Sequence, residues 1–363
     1  MYFKIDEKLF DYYNGRVKQI FLYLTDECQL RCKQCLYKPN LTFQMARKEI
    51  PFEQTKKIMS DFYELGARKV TFMGGEPFLY TGSANGLYEL IEYGKKIGYT
   101  YMRADSNGQN EPSVYQHPSL AKLGDLSFSI DGYTAQINDP LRGEGSYDKC
   151  VTAIKIAVAA GVNVELTTCV HPRLLQEDHG ELGIIKMIRF AEELNCKAIN
   201  FHVLFKHGFP MDTWTGDDTA NLPEAWIKVR DQIDQKDFKI KVRIPTQFVT
   251  REEFDRKPAY FSYCPVKLGE RALIHPDGQI RICSGLIASK YCIGHYTDTE
   301  MRWENSLLNE TLDHKLDEAT PCTNQSKCQS YGEYVPVCFS FKPYQKEVVW
   351  QKFLQWDENR NHQ

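Results

Sequence analysis

Along residues 18 to about 205 one pattern repeats: a short run of β-branched and aromatic residues, a polar loop, then a segment whose apolar residues recur near helical spacing. The runs at 20–24, 69–73, 99–102, 126–130, 162–166 and 199–204 predict six strands. Between them, Phe52, Ile58, Met59, Phe62 and Leu65 share one helical face and Gly66 follows; Ala153, Ile154, Ile156, Ala157 and Ala160 precede Gly161 in the same way. Glycine in that place ends a helix. Strands alternating with such helices predict an α/β fold with a parallel sheet and right-handed crossovers. Six units would curl the sheet into a partial (β/α)6 TIM-like barrel, with a doubly wound open sheet as the competitor. Both gather chemistry on the loops that follow strands.

The stretch 210–225, rich in Asp, Thr, Gly and Pro, reads as a loop leaving the barrel; a helix over 223–235 and a strand over 238–244 lead onward, and a cysteine-rich region opens near Tyr263. The organisation expected is an N-terminal segment 1–17, a barrel 18–225, a bridge 226–262, a small C-terminal domain 263–345 and a tail 346–363.

Composition narrows the function. The 363 residues are 42% hydrophobic, enough for one large core and a smaller second one. With 45 Lys and Arg against 48 Asp and Glu, the net charge of -3 supplies no basic field for a nucleic-acid backbone. The first seven residues lack the features of a secretory signal, and no run approaches the roughly 18 to 20 apolar residues that span a bilayer. A soluble, cytoplasmic protein with neither nucleic acid nor membrane as partner is expected. Twelve cysteines in a reducing compartment point to metal or redox chemistry rather than disulfides. Cys28, Cys32 and Cys35 form one tight group; Cys150, Cys169 and Cys196 are scattered; Cys264, Cys283, Cys292, Cys322, Cys328 and Cys338 fall in the last third.

Cys28-x3-Cys32-x2-Cys35 directly follows the first strand. Three thiolates of one short loop can hold three irons of a [4Fe-4S] cluster and leave the fourth iron open. Zinc and plain buried thiols are the alternatives, but structural zinc takes four ligands and no fourth Cys or His lies nearby. This spacing resembles the signature of the radical S-adenosylmethionine (radical SAM) superfamily, and later strand ends extend the resemblance. Met73-Gly74-Gly75-Glu76-Pro77 is similar to the family's GGEP turn, which implies main-chain carbonyls and the Glu76 carboxylate around the methionine ammonium. Asp105-Ser106-Asn107-Gly108 is similar to a TNG-like turn, the segment 127–132 resembles SIDG, and 138–147 resembles HDxxRGxGSF. Taken singly, each of these is also an ordinary turn. The resemblance implies Asn107, Ser129 and Thr168 near the ribose or carboxylate of S-adenosylmethionine, Arg142 at its carboxylate and Leu204 beside adenine. The family often has an aromatic just before the third cysteine, in contact with adenine. Here that residue is Gln34, with Tyr37 as the substitute.

Cys264-x13-Gly278-x4-Cys283 resembles the opening of the SPASM and twitch modules, which hold auxiliary clusters, with a hairpin over 272–282 turning at Asp277-Gly278. Cys322-x5-Cys328-x9-Cys338 follows. Six thiols cannot ligate two full clusters, so the expectation is one auxiliary [4Fe-4S] cluster on Cys264, Cys283 and two of Cys322, Cys328 and Cys338, with a second, incompletely ligated cluster or a zinc ribbon as alternatives. The resemblance implies an enzyme that cleaves S-adenosylmethionine to a 5′-deoxyadenosyl radical and abstracts hydrogen from a peptide, giving oxidation or bond formation, with a low-potential donor such as flavodoxin or ferredoxin. Alternatives are a radical epimerase or dehydrogenase of a small molecule such as an aminoglycoside, with Cys169 or Cys292 returning a hydrogen atom, and a non-catalytic iron–sulfur or zinc protein. About 18 residues before the first strand are too few for a separate leader-peptide recognition domain. Cys150 and Cys196 are expected in the core; His202, His207, Tyr23 and Glu165 lie near the expected mouth.

Overall fold

The computed structural model describes residues 4–35, 37, 48–82, 84–203, 222–234, 236–244, 246–256, 269–281, 283, 292–297, 299–303 and 333–338. In chain order these form β1 (Lys4–Ile5), α1 (Glu7–Tyr13), β2 (Gln19–Thr25), α2 (Phe52–Glu64), β3 (Lys69–Gly74), α3 (Asn85–Ile97), β4 (Tyr101–Ser106), β5 (Asp125–Ser129), α4 (Ala135–Arg142), α5 (Ser146–Ala159) and β6 (Val164–Val170). A short hairpin of β7 (Glu177–Asp178) and β8 (Glu181–Leu182) leads to α6 (Gly183–Glu193), β9 (Ala198–Val203), α7 (Leu222–Asp234), β10 (Lys241–Arg243), β11 (Thr246–Thr250) and α8 (Arg251–Arg256). Then come β12 (Arg271–Ile274), β13 (Gln279–Arg281), β14 (Cys292–Tyr296), β15 (Glu300–Trp303) and β16 (Tyr334–Cys338).

One sheet runs β1-β15-β14-β13-β12-β2-β3-β4-β5-β6-β9-β10. From β12 through β2 to β10 every neighbouring pair is parallel. The six expected strands are all present in an α/β partial barrel. The third differs: it starts at Tyr101 and runs to Ser106, so Asp105 and Ser106 belong to the strand and the turn begins at Asn107. The sheet also passes the expected boundary at 225. That position lies inside α7, and β10 adds a seventh parallel strand with Asn200 opposite Arg243.

Successive side chains of a strand point to opposite faces, and here the two faces differ in chemistry. Leu22, Val70, Phe72, Leu126, Phe128, Leu166 and Phe201 are fully buried in one core with Ile58, Met59, Leu90, Ile154, Ala157 and Ile188 of the helices. The alternate residues, among them Gln19, Thr71, Arg103, Ser127, Glu165, Thr167 and Asn200, are polar and face the concave side. Gln19 donates to the Thr71 hydroxyl at 3.0 Å and Arg103 donates to Ser127 and Thr167 at 2.9 Å each, so this face is hydrogen-bonded across strands.

The C-terminal strands continue the sheet. β12 lies parallel to β2 with Ile274 opposite Leu22, and β1 pairs with β15, which ties the N-terminal segment to the far edge. The expected hairpin exists as β12 and β13, with Leu273 opposite Arg281. At its turn Gly278 has φ +79°, and a Cβ there would stand 2.6 Å from the Tyr296 carbonyl oxygen, which restricts the position to glycine.

Phe128 sits at the centre of the outer core with its ring 5.2 Å from that of Tyr115. Phe128→Ala should cost about 3–5 kcal/mol of unfolding free energy, read from urea denaturation, because the surrounding rings cannot collapse into the space.

Candidate active site at the mouth of the barrel

The loop after β2 carries Cys28, Cys32 and Cys35, closed on itself by the Cys35 N–H donating to the Cys32 carbonyl at 3.3 Å. Three neighbours hold it. The Asn107 amide donates to the Cys28 sulfur at 3.4 Å and to Gln29 at 3.0 Å. Lys33 N–H donates to the Leu141 carbonyl at 2.8 Å, and the Arg142 guanidinium lies 3.9 Å from the Cys32 sulfur. Burial pushes the Cys28 thiol up to about 12, the Glu76 charge adding to it, while Leu30 N–H and Asn107 oppose; burial also raises Cys32 against the pull of Arg142. These thiols therefore hold their protons until a metal displaces them.

Among the described residues no three His, Cys, Asp or Glu side chains converge on one point as ligands of a single ion would. A cubane cluster takes each thiolate on a different iron, so its ligands stand around a body. Three sulfurs on one loop, two of them addressed by the hydrogen-bond donors that thiolates need, fit such a cluster.

The turn after β3 is clamped to the start of that loop. Gly75 N–H donates to the Thr25 carbonyl and Glu76 N–H to the Glu27 carbonyl, each at 2.7 Å. A Cβ on Gly75 would stand 2.0 Å from the Glu27 oxygen, so only glycine permits the approach; Gly74 has φ +128°. Glu76 is fully buried, and its carboxylate accepts from Asn107 N–H (2.7 Å), the Ser106 hydroxyl (3.0 Å) and Phe78 N–H (3.3 Å). These three protein donors orient Glu76 toward the β4 turn, where it fixes Asn107. Burial pushes its carboxyl up to about 7.

After β5 stands Asp131, also fully buried. It accepts from Cys169 N–H at 2.7 Å and from the Gln34 amide, and pairs with Arg142 at 2.6 Å. Its own N–H donates to Asn138 at 2.9 Å, and its carbonyl lies 2.7 Å from the His171 ring nitrogen. Arg142, expected at the carboxylate of S-adenosylmethionine, is thus neutralised by Asp131 and turned to Cys32. Asp139 of the same segment accepts from Gly145 and Tyr147 N–H, each at 2.9 Å, which gives the 138–147 pattern a structural cause.

The other expected residues divide. Ser129 is half-buried on the concave face opposite Thr167. Thr168 points the other way: alternation sends it into the helix layer, where its hydroxyl donates to the Ile130 carbonyl at 2.7 Å, and Thr167 takes the inward position. Cys169 faces inward beside His202, its register partner, and burial, then the Asp131 charge, raises its thiol well above the ordinary range. Cys292 is on β14 with β13 and β12 between it and β2; its thiol donates to the Gly294 carbonyl at 3.2 Å and acts on Tyr13 of α1. It is therefore removed from the mouth, because β14 turns this residue to α1. Tyr37 packs on Tyr23 and His275, with ring centroids 4.8 and 5.7 Å away. Cys150 and Cys196 are buried as expected. Cys283 acts electrostatically on Tyr23, as Cys35 does, and Cys338 ends β16 opposite Thr246. Leu204, His207, Cys264, Cys322 and Cys328 lie outside the described residues.

Arg103 escapes the sequence patterns. It crosses the concave face, bonding Asp105 at 2.6 Å, Glu165, Ser127 and Thr167, and Glu165 also meets Arg243. The alternation of Arg103 and Asp105 with apolar Met102 and Ala104 was the available signal. Burial, with Arg103 and Arg271, lowers His202 to about 4 and keeps it neutral. For Gln34 and Asp131 no spacing in the sequence signals their contact.

Glu76 gives stability a pH dependence. Between its ordinary value of 4.5 and about 7 the native carboxyl holds a proton that the unfolded chain has lost, so stability falls as pH rises through that window and is level above it. In the metal-free protein the fall should reach ~3 kcal/mol, and Glu76→Gln should flatten it in urea denaturation at about pH 5 and pH 8.

Comparison with known proteins follows the same residues. Residues 22–182 match the Radical SAM superfamily family model. An AdoMet-dependent heme synthase of Methanosarcina barkeri is 26% identical over 203 residues, 56% of this chain and 53% of that protein. Mycofactocin maturase MftC of Mycobacterium tuberculosis is 30% identical over 139 residues, 38% of this chain and 34% of that protein. The chain thus spans about half the length, or less, of these curated relatives. The crystal structure of Streptococcus suis SuiB bound to precursor peptide SuiA superposes with TM-score 0.59 at 17% identity, covering 83% of this chain and 66% of SuiB, a likeness of fold. The stretch 22–182, with the three-thiol loop, the Gly74–Gly75 turn, Asp131 and Cys169, is a radical SAM domain.

Proposed function

We propose that this protein is an enzyme that cleaves S-adenosylmethionine and takes a hydrogen atom from a peptide, leaving it oxidised or newly bonded. The observation that carries this reading is the three-thiol loop held by the ends of β3, β4 and β5 through Gly75, Asn107 and Asp131. When bound, a reduced [4Fe-4S] cluster with S-adenosylmethionine at its open iron supplies the electron that splits the sulfonium into methionine and a 5′-deoxyadenosyl radical.

In this reading Cys28, Cys32 and Cys35 hold the cluster, while Asn107 and Arg142 stabilise sulfur charge and orient two of the thiolates. The Gly74–Gly75 turn lets main-chain carbonyls approach the ammonium, and Ser129 and Thr167 offer hydroxyls to the ribose or carboxylate. Asp131 fixes the spacing between the loop and β6. The hydrogen-bonded floor around Arg103 and Glu165 closes the concave face below and holds reacting groups in one geometry. Cys264, Cys283 and two of Cys322, Cys328 and Cys338 would hold an auxiliary [4Fe-4S] cluster, which would supply an acceptor for the substrate electron, and a low-potential donor such as flavodoxin or ferredoxin would serve the first cluster. Mycofactocin maturase and the precursor peptide bound to SuiB support peptide as the substrate class. The heme synthase relative is the reason to include small molecules in the assay.

Cys169 favours a second reading. Its half-buried thiol keeps its hydrogen and faces the concave side, and Asp131 anchors its main chain, as a donor returning a hydrogen atom to the substrate would require. That outcome is epimerisation.

Protein reconstituted with iron and sulfide without oxygen should form 5′-deoxyadenosine from S-adenosylmethionine and dithionite. The variant with Cys28, Cys32 and Cys35 all changed to Ala should form none and hold about four fewer irons. Loaded wild-type protein that yields no 5′-deoxyadenosine would instead belong with non-catalytic iron–sulfur or zinc-binding proteins. In heavy water, epimerisation predicts deuterium at the product carbon, and Cys169→Ala should abolish it while 5′-deoxyadenosine formation and iron content persist; retained deuterium excludes Cys169 as the donor.

A further inference from the structure

Asn200 of β9 stands on the concave face and is 7% exposed. Among the described residues few buried side-chain polar atoms lack a hydrogen-bond partner, and its Oδ1 is one of them. Its Nδ2 lies 3.0 Å from Nε2 of His202, two residues on along the same face, and donates to it when the neutral imidazole carries its proton on Nδ1. The neighbours in register are already engaged. Thr167, opposite Asn200 on β6, accepts from Arg103 and is hydrogen-bonded to Ser127 at 2.8 Å. Arg243, opposite it on β10, is paired with Glu165 and lies 3.5 Å from Asp125. What remains is a buried acceptor with no partner and, on the same carboxamide, the second Nδ2 hydrogen. Leaving such an acceptor unpaired costs free energy comparable to a lost hydrogen bond, so the position calls for a donor that arrives with a ligand.

A planar carboxamide offers an acceptor beside a donor. In an extended peptide the N–H and the carbonyl of one residue point the same way, so the two match as a hydrogen-bonded pair of an antiparallel sheet does. A hydroxyl or an ammonium would satisfy Oδ1 and leave Nδ2 without an acceptor. Adenine carries a similar edge, but Asn200 lies inside β9, three residues before its end at Val203, whereas the thiol loop and the Gly74–Gly75 turn lie at the strand ends. We propose that Asn200, held by His202, binds the main chain of an extended peptide substrate, Oδ1 accepting from the N–H and Nδ2 donating to the carbonyl of one residue. The inference rests on the reading of the protein as a peptide-modifying radical SAM enzyme. It makes Asn200 a substrate-binding residue and His202 the residue that positions it. Because both contacts are to main chain, the residue is taken whatever its side chain. Asn200 and His202 lie opposite Thr167 and Cys169 in register, so the peptide residue is set alongside the inward face of β6.

The test is a saturation-transfer NMR titration of the reconstituted full-length protein, oxidised, with S-adenosylmethionine bound and no reductant, so that nothing is cleaved. The probes are N-acetylglycine N-methylamide, a single capped residue, and its depsi analogue, in which an ester oxygen replaces the glycine N–H. Wild-type protein should bind the depsi analogue about fivefold more weakly, the worth of one hydrogen bond. Asn200→Leu, which keeps the bulk, should bind both at the analogue's level, with iron content and affinity for S-adenosylmethionine unchanged. Equal affinity of wild type for the two probes, binding of neither, or a fivefold preference surviving in Asn200→Leu overturns the proposal. Loss of S-adenosylmethionine binding in Asn200→Leu at wild-type iron content assigns the carboxamide to the cofactor and overturns it too. The wild-type comparison needs no variant, so a misfolded Asn200→Leu leaves the test intact. Wild-type protein that takes up no S-adenosylmethionine in equilibrium dialysis overturns the reading of the site itself, an outcome distinct from normal uptake without discrimination between the probes.

Discussion

The buried charge of Asp131 is the constraint on which the mouth of this barrel depends. A carboxylate with no exposure is tolerated only when paired and hydrogen-bonded, and removing one partner of such a group costs roughly 3–5 kcal/mol. Its partners come from different parts of the chain: Gln34 of the cluster loop, Arg142 at the end of α4, and the main chain of Cys169 in β6. Satisfying one charge therefore fixes the relative positions of three elements. Arg142 then lies beside the Cys32 sulfur because Asp131 holds it there, so the electrostatics of the thiol loop are set from β5.

The concave face shows the same logic at larger scale. A parallel sheet with helices on one side needs an apolar outer face, and period-two alternation leaves the inner face free for other chemistry. Here it is filled with paired charges: Arg103 uses its donors on Asp105, Glu165, Ser127 and Thr167. Such a network is rigid when complete, and it keeps the floor polar without leaving a free charge in the path of reacting groups. His202, neutral because burial and two arginines oppose its protonation, belongs to the same arrangement.

Much of this was legible in the sequence. The six strands, the helices ending before Gly66 and Gly161, the β12–β13 hairpin and the loop of three thiols follow from periodicity, turn chemistry and spacing, which are local properties. What was not legible depends on distance in the chain. Thr168 and Thr167 exchange roles because alternation along β6 puts Thr168 on the same outward face as Val164 and Leu166 and leaves Thr167 facing inward. The three donors that orient Glu76 come from residues 78, 106 and 107, and the two from the β4 end lie some thirty positions away in the chain. The contact between Gln34 and Asp131 spans 97 positions and joins two residue types that carry no pattern of their own. Cys292 counts as one more thiol of a cysteine-rich tail in the sequence, whereas the sheet places it beside α1.

The C-terminal hairpin is joined to this site by sheet register rather than by a linker. The first strand of an open parallel sheet would present an unpaired edge, and β12 covers it by pairing with β2. That pairing brings His275 onto Tyr23, with ring centroids 4.3 Å apart and planes 11° from parallel, and Tyr37 closes against both. Burial, with the Arg281 charge, lowers His275 to about 3, so the stacked imidazole stays neutral and needs no counter-ion in the layer. Tyr23 feels both Cys35 on the thiol loop and Cys283 just beyond the hairpin. Hydrogen-bonded strands and three packed rings therefore fix where the hairpin ends at Arg281 relative to that loop, two residues before Cys283.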